Sequence, residues 1–85
     1  MKIKPKTTPE CEQLMNMVLE ALDVNIFDAP KKLEVAQTAL KRLHKKRCAK
    51  ALEYVMEESC GRGIMNPNAP KICGEAKDYI DDLSR

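Results

Sequence analysis

The length, composition and charge of the chain point to one small domain that folds in water. It has 85 residues, of which 44% are hydrophobic and 33% charged, and its formal net charge is +2. That length leaves no room for a second core, the hydrophobic content is too high for a disordered chain, and the charges interrupt any membrane span. We therefore expect a single domain over residues 1–85, no membrane association, and a flexible basic tail at residues 1–7.

The composition predicts an all-α fold. The chain has three glycines, two tyrosines, one phenylalanine and no tryptophan, while Ala, Leu, Lys, Glu and Met are abundant. These abundant residues are good helix formers, whereas strands favour the β-branched and aromatic residues that are scarce here.

The first predicted helix covers residues 9–22. Thr8 offers a capping hydroxyl, Pro9 suits the first helical position and Glu10 places an acid in the first turn. One face is apolar, because hydrophobic residues recur at helical spacing: Cys11, Leu14, Met15, Val18, Leu19 and Leu22. In the turn that follows, Ile26 and Phe27 are expected to form a hydrophobic plug that is buried beneath the turn.

A second, long helix is predicted over residues 30–60, which contain no glycine, and no proline after Pro30. Its apolar stripe changes direction along the way. The first group is Leu33, Ala36, Leu40 and Leu43, and the second, rotated from it by roughly 100°, is Cys48, Ala51, Leu52 and Val55. The change falls at residues 44–47, which predicts either a kink there or an exposed polar collar on a continuous helix.

A third helix is predicted over residues 69–84. Gly61 can end the long helix, a Gly- and Pro-rich loop follows, and Asn68 can cap the next helix with its side chain. The expected fold is a small three-helix bundle in which neighbouring helices are antiparallel. Its thin core could be completed by homodimerisation.

This topology predicts which of the four cysteines lie close together. Folding the first helix back along the second brings Cys11 near Cys48, and folding the third back brings Cys73 beside Cys60. Two disulfides with that pairing are one interpretation. The other is that all four are free cysteines, which behave as small buried hydrophobes. Paired cysteines favour a secreted protein and free ones a cytoplasmic protein, and no secretory signal is visible after the basic start.

Metal binding and catalysis find little support in the sequence. The cysteines lack the close spacing of a zinc site, and His44, the single histidine, has no evident partner for acid–base chemistry. We expect no enzyme activity, no cofactor and no metal.

The positive charge concentrates in the first half of the chain. Residues 1–50 hold eleven Lys and Arg against six Asp and Glu, while residues 51–85 hold four against seven. A nucleic acid or an acidic partner could contact a patch made of Lys41, Arg42, Lys45, Lys46, Arg47 and Lys50. Against nucleic acid, no aromatic residues interleave with these charges.

The sequence therefore favours a small helical interaction or regulatory protein that binds another macromolecule, with a protein as the expected partner. The candidate contact residues are Ile64 and Met65, two apolar residues in the loop between Cys60 and Cys73, and the exposed flanks of the long helix. Two alternatives stay open. The first is a nucleic-acid-binding regulator that uses the stretch from Lys41 to Lys50, and the second is a secreted helical effector or signal stapled by disulfides.

Overall fold

All the regular secondary structure in the described part of the chain is helical. A computed structural model describes residues 4–61 and 66–85, which form four helices and no strand. Their bounds are α1 Pro9–Leu22, α2 Ala29–Lys45, α3 Ala49–Cys60 and α4 Ala69–Leu83. The all-α prediction is confirmed. The prediction of three helices is wrong, because the long helix of residues 30–60 is two helices.

The division between α2 and α3 has a local cause at Arg47. This residue has a φ of +60°, in the left-handed region, and ends α2. The Arg47 N–H donates to the His44 carbonyl at 3.0 Å, and the Cys48 N–H donates to the Leu43 carbonyl at 2.9 Å. This pair of hydrogen bonds is the Schellman motif, in which a left-handed residue usually occupied by glycine closes a helix. The predicted change of direction near residues 44–47 is thus a complete break.

The helices pack in pairs around one core. α1 lies along α2, α3 lies along α4, and a shared apolar centre joins the two pairs. The short turn between α1 and α2 makes that pair antiparallel, as predicted. The largest fully buried side chains come from all four helices: Met15, Val18, Leu22, Leu40, Leu43, Leu52, Val55 and Ile72.

The cysteines lie in two pairs at disulfide distance. Cys11 at the start of α1 meets Cys48 at the α2–α3 break, and Cys60 at the end of α3 meets Cys73 in α4. This is the pairing that the antiparallel topology predicts. Each pair therefore joins the start of one helical element to the end of another.

A buried asparagine joins α4 to the hairpin of α1 and α2. Asn68 is 2% exposed, and its Nδ2 donates to the carbonyls of Ala21 at 2.9 Å and Ala29 at 3.1 Å. It precedes α4 as predicted, but its side chain makes no capping hydrogen bond. The prediction that Asn68 caps α4 with its side chain is wrong, because the amide instead holds the two helix ends that flank the α1–α2 turn.

Candidate functional site

The turn between α1 and α2 presents two large apolar side chains to solvent. Ile26 is 67% exposed and Phe27 is 86% exposed. We call these two residues the apolar tip. The expectation that they form a buried plug is wrong. Such a plug needs an apolar residue four positions into the helix, and after the N-cap residue Asp28 that position is Lys32. The sequence thus carried a signal of exposure.

Several hydrogen bonds lie within and beside the turn that carries the apolar tip. Asn25 Oδ1 accepts from the N–H groups of Phe27 at 3.0 Å and Asp28 at 3.1 Å. Asn66 Nδ2 donates to the Leu22 carbonyl and Asn68 holds the helix ends on either side. Single exposed apolar side chains are common on protein surfaces. An adjacent pair on a hydrogen-bonded turn is a more specific feature.

An apolar groove runs between α1 and α2 on the same hairpin. Its volume is about 240 Å³. We call it the α1–α2 groove, and the residues that line it are Leu14, Met17, Val35, Thr38, Ala39 and Arg42. Val35 is 42% exposed and is the third large hydrophobic residue that the described part of the chain leaves open to solvent. The hairpin therefore carries two apolar features, the exposed apolar tip and the α1–α2 groove.

The six residues of the predicted basic patch lie in different parts of the surface. Lys41, Lys45 and Arg47 line one open depression of about 500 Å³, together with His44, Asp82 and Leu83. Arg42 instead lines the α1–α2 groove. The structure thus brings together only half of the predicted patch in that depression, and it adds an acid there.

The two remaining basic residues also have acidic neighbours. Lys46 Nζ lies 2.7 Å from Glu10 Oε1 of α1. Lys50 lines a separate shallow depression that includes Glu53 and Glu57. Acidic groups therefore reduce the positive potential that the sequence suggested for this stretch.

His44 has partners on α4 that sequence reasoning missed. Its Nε2 lies 2.7 Å from Asp82 Oδ2, and its ring stacks on Tyr79 with 4.5 Å between centroids. Nearby, burial raises the pKa of Glu75, while the Tyr79 hydroxyl and the positive charge of Lys41 oppose that rise. These residues are almost forty positions apart in the chain, so no local pattern could have shown their contact.

No nucleophile is activated by this histidine among the residues that the structure describes. The four cysteines are paired. The Ser84 hydroxyl donates to the Ile80 carbonyl, Ser59 to Met56 and Thr38 to Glu34. The contacts of His44 and Asp82 therefore join α2 to α4 without completing a recognisable catalytic set.

Two further findings concern ligands and membranes. Within residues 4–61 and 66–85, no three or more His, Cys, Asp or Glu side chains are grouped so that they could hold a metal ion. In the same ranges, no helix combines the length and the apolar character that a membrane crossing requires. The predicted contact residues Ile64 and Met65 lie outside the described residues.

Comparison with protein-family models, with curated proteins and with solved structures finds no match to this chain.

Proposed function

We propose that this chain is a small helical interaction or regulatory protein that performs no chemistry of its own and acts by binding another protein through the apolar tip. The observation that carries the proposal is the 86% exposure of Phe27, the single phenylalanine of the chain, on a hydrogen-bonded turn. Burial of a phenylalanine side chain stabilises by about 1.5–3 kcal/mol. A partner that covers Phe27 gains that energy, which the folded monomer leaves unused.

The hydrogen bonds of the turn support binding through the tip. Association usually loses free energy when mobile side chains and loops become ordered. Here Asn25 and Asn68 already fix the turn and the helix ends that flank it. Aromatic residues that are fully buried by a partner are frequent hot spots of protein interfaces. Phe27 is presented in the manner such a hot spot requires.

The cysteine pairs support an oxidising setting for this activity. Structural disulfides persist in secreted proteins and are rare in the cytosol. Two sequential pairs in a chain of this size are typical of a small domain that gains stability from cross-links. A secreted, disulfide-stapled binding protein therefore unites the leading interpretation with the effector alternative.

The basic surface offers weaker support for the nucleic-acid alternative. Binding to phosphates requires several cations that face the same backbone. Lys46 is engaged by Glu10, and Asp82 shares the depression of Lys41, Lys45 and Arg47. This distribution favours protein contact over phosphate contact.

The test is capture of a partner with tip variants. The intact protein is immobilised without reductant, as wild type, as Phe27→Asp, and as Ser84→Asp, which adds the same charge at an exposed site on the far end of α4. A fourth sample carries Lys41→Glu and Lys45→Glu. We expect a partner protein that is retained at high salt by all samples except Phe27→Asp. If the partner is lost at high salt, or is lost only from the lysine variant, the proposal is wrong and the binding is electrostatic.

A further inference from the structure

We infer that the partner of the apolar tip, when no other protein occupies it, is a second copy of this chain, with Phe27 of each copy seated in the α1–α2 groove of the other. The inference rests on the proposed function, because the same tip would serve both contacts. It adds a form of regulation, since a dimer of this kind covers the binding surface.

The first support is a match of size and chemistry. An apolar cavity of about 150 Å³ accommodates benzene, and the α1–α2 groove has about 240 Å³. Its lining includes Leu14, Met17, Val35 and Ala39, which are apolar side chains suited to an aromatic ring. The volume of the groove is therefore large enough for a phenyl ring.

The second support is charge complementarity at the edges of the two features. Asp28 follows Phe27 directly in the chain, and Arg42 lines the groove. Among the described residues, neither side chain has an ion-pair partner. A seated Phe27 would bring Asp28 of one copy towards Arg42 of the other, so that each charge gains a partner on association.

The third support is the position of both features on one hairpin. Val35 and Ala39 lie roughly 10–18 Å along α2 from the tip, at 1.5 Å per residue. Two hairpins placed antiparallel and offset by that length bring each tip to the level of the other's groove. The contact is then isologous and closes as a two-fold dimer, whereas a head-to-tail contact would grow into a filament.

The experiment measures self-association by sedimentation equilibrium from low micromolar to millimolar concentration, without reductant. We expect a monomer–dimer equilibrium for the wild type and for the control Ser84→Asp. Phe27→Asp and Val35→Glu both alter exposed residues and should each weaken the dimer by at least about thirtyfold, as loss of an interface hot spot does. A wild type that stays monomeric throughout would overturn the inference.

Mixing the two variants tests the tip-in-groove contact itself. The Val35→Glu copy has an intact tip and the Phe27→Asp copy has an intact groove, so the mixed dimer regains one of two contacts. It should form more tightly than either variant alone. If the mixture gains nothing, the copies pair in another way, for example tip to tip, and the inference is wrong.

A charge exchange supplies a second, independent readout. Arg42→Glu should weaken the dimer, and the further change Asp28→Lys should restore it. Additive weakening in the double variant would contradict the proposed geometry.

Failure of this inference and failure of the proposed function give different results. Val35→Glu retains the tip, so it should capture the partner protein at least as well as the wild type while it no longer dimerises. A monomeric wild type whose partner capture still depends on Phe27 would refute self-association alone. A dimer that requires Phe27 but captures no other protein would refute the proposed function alone.

Discussion

The two cysteine pairs close loops of different length, so their removal should cost different amounts of stability. Cys11 and Cys48 are 37 residues apart, and Cys60 and Cys73 are 13 apart. In the chain-entropy treatment, cross-links over these distances stabilise by about 3.8 and about 2.9 kcal/mol at 25 °C. The first pair is also buried, whereas Cys60 is exposed. We therefore expect Cys11→Ala with Cys48→Ala to be the more damaging double variant.

Equilibrium unfolding in urea, followed by far-UV circular dichroism without reductant, measures the difference. Each double variant retains the other pair and so controls for it. A loss of about 4 kcal/mol corresponds to a fall of roughly 15–30 °C in Tm for a domain of this size. If Cys60→Ala with Cys73→Ala lowers the free energy of unfolding as much or more, the reasoning from loop length is refuted. Four thiols that react with an alkylating agent in the denatured wild type would refute the cross-links themselves.

Three further predictions concern single residues, and unfolding in urea measures each of them. Asn68→Ala should destabilise by about 2 kcal/mol, because it leaves the buried Ala21 carbonyl at the end of α1 without a donor and removes a second hydrogen bond from the Ala29 carbonyl; a loss below half of that would contradict the anchoring role. Arg47→Gly should stabilise by roughly 1 kcal/mol, since glycine adopts the positive φ without a Cβ penalty, and destabilisation would show that the arginine side chain makes a stronger contact. Burial raises the pKa of Glu75 above 4.5, so the folded protein keeps a proton that the unfolded chain releases, and stability falls as pH rises between the two pKa values. The gain of Glu75→Gln over the wild type should thus be larger at pH 7 than at pH 4, and the reverse order would contradict this sign.

The helix ends that have local signals could be predicted from the sequence. Thr8 and Pro9 mark the start of α1, and the structure begins the helix at Pro9 with the Thr8 hydroxyl accepting from the Cys11 N–H. The end of α2 lacks such a signal, because an arginine takes the place where glycine is usual. The rotation of the apolar stripe gave its location, but only the conformation of Arg47 distinguishes a break from a kink.

The candidate site was harder to predict for a different reason. A phenylalanine in a turn is usually buried, and the signal against burial of Phe27 lies in one position, Lys32, where the apolar partner is missing. The contacts of His44 with Tyr79 and Asp82 require α4 to lie beside α2, which is a property of the tertiary fold. The cysteine pairs could be predicted because their prediction required only the relative direction of neighbouring helices.

The order of the cysteine pairs along the chain determines what a protease could release. The segment from Cys11 to Cys48 contains the apolar tip, and it ends before the segment from Cys60 to Cys73 begins. A cut after Phe27 would open the backbone, yet both fragments would stay linked through sulfur, and the mass would rise only by one water. A cut within α3 would instead divide the molecule into two covalently separate pieces. The turn that carries the apolar tip is therefore a segment that can be nicked without the loss of any part of the protein.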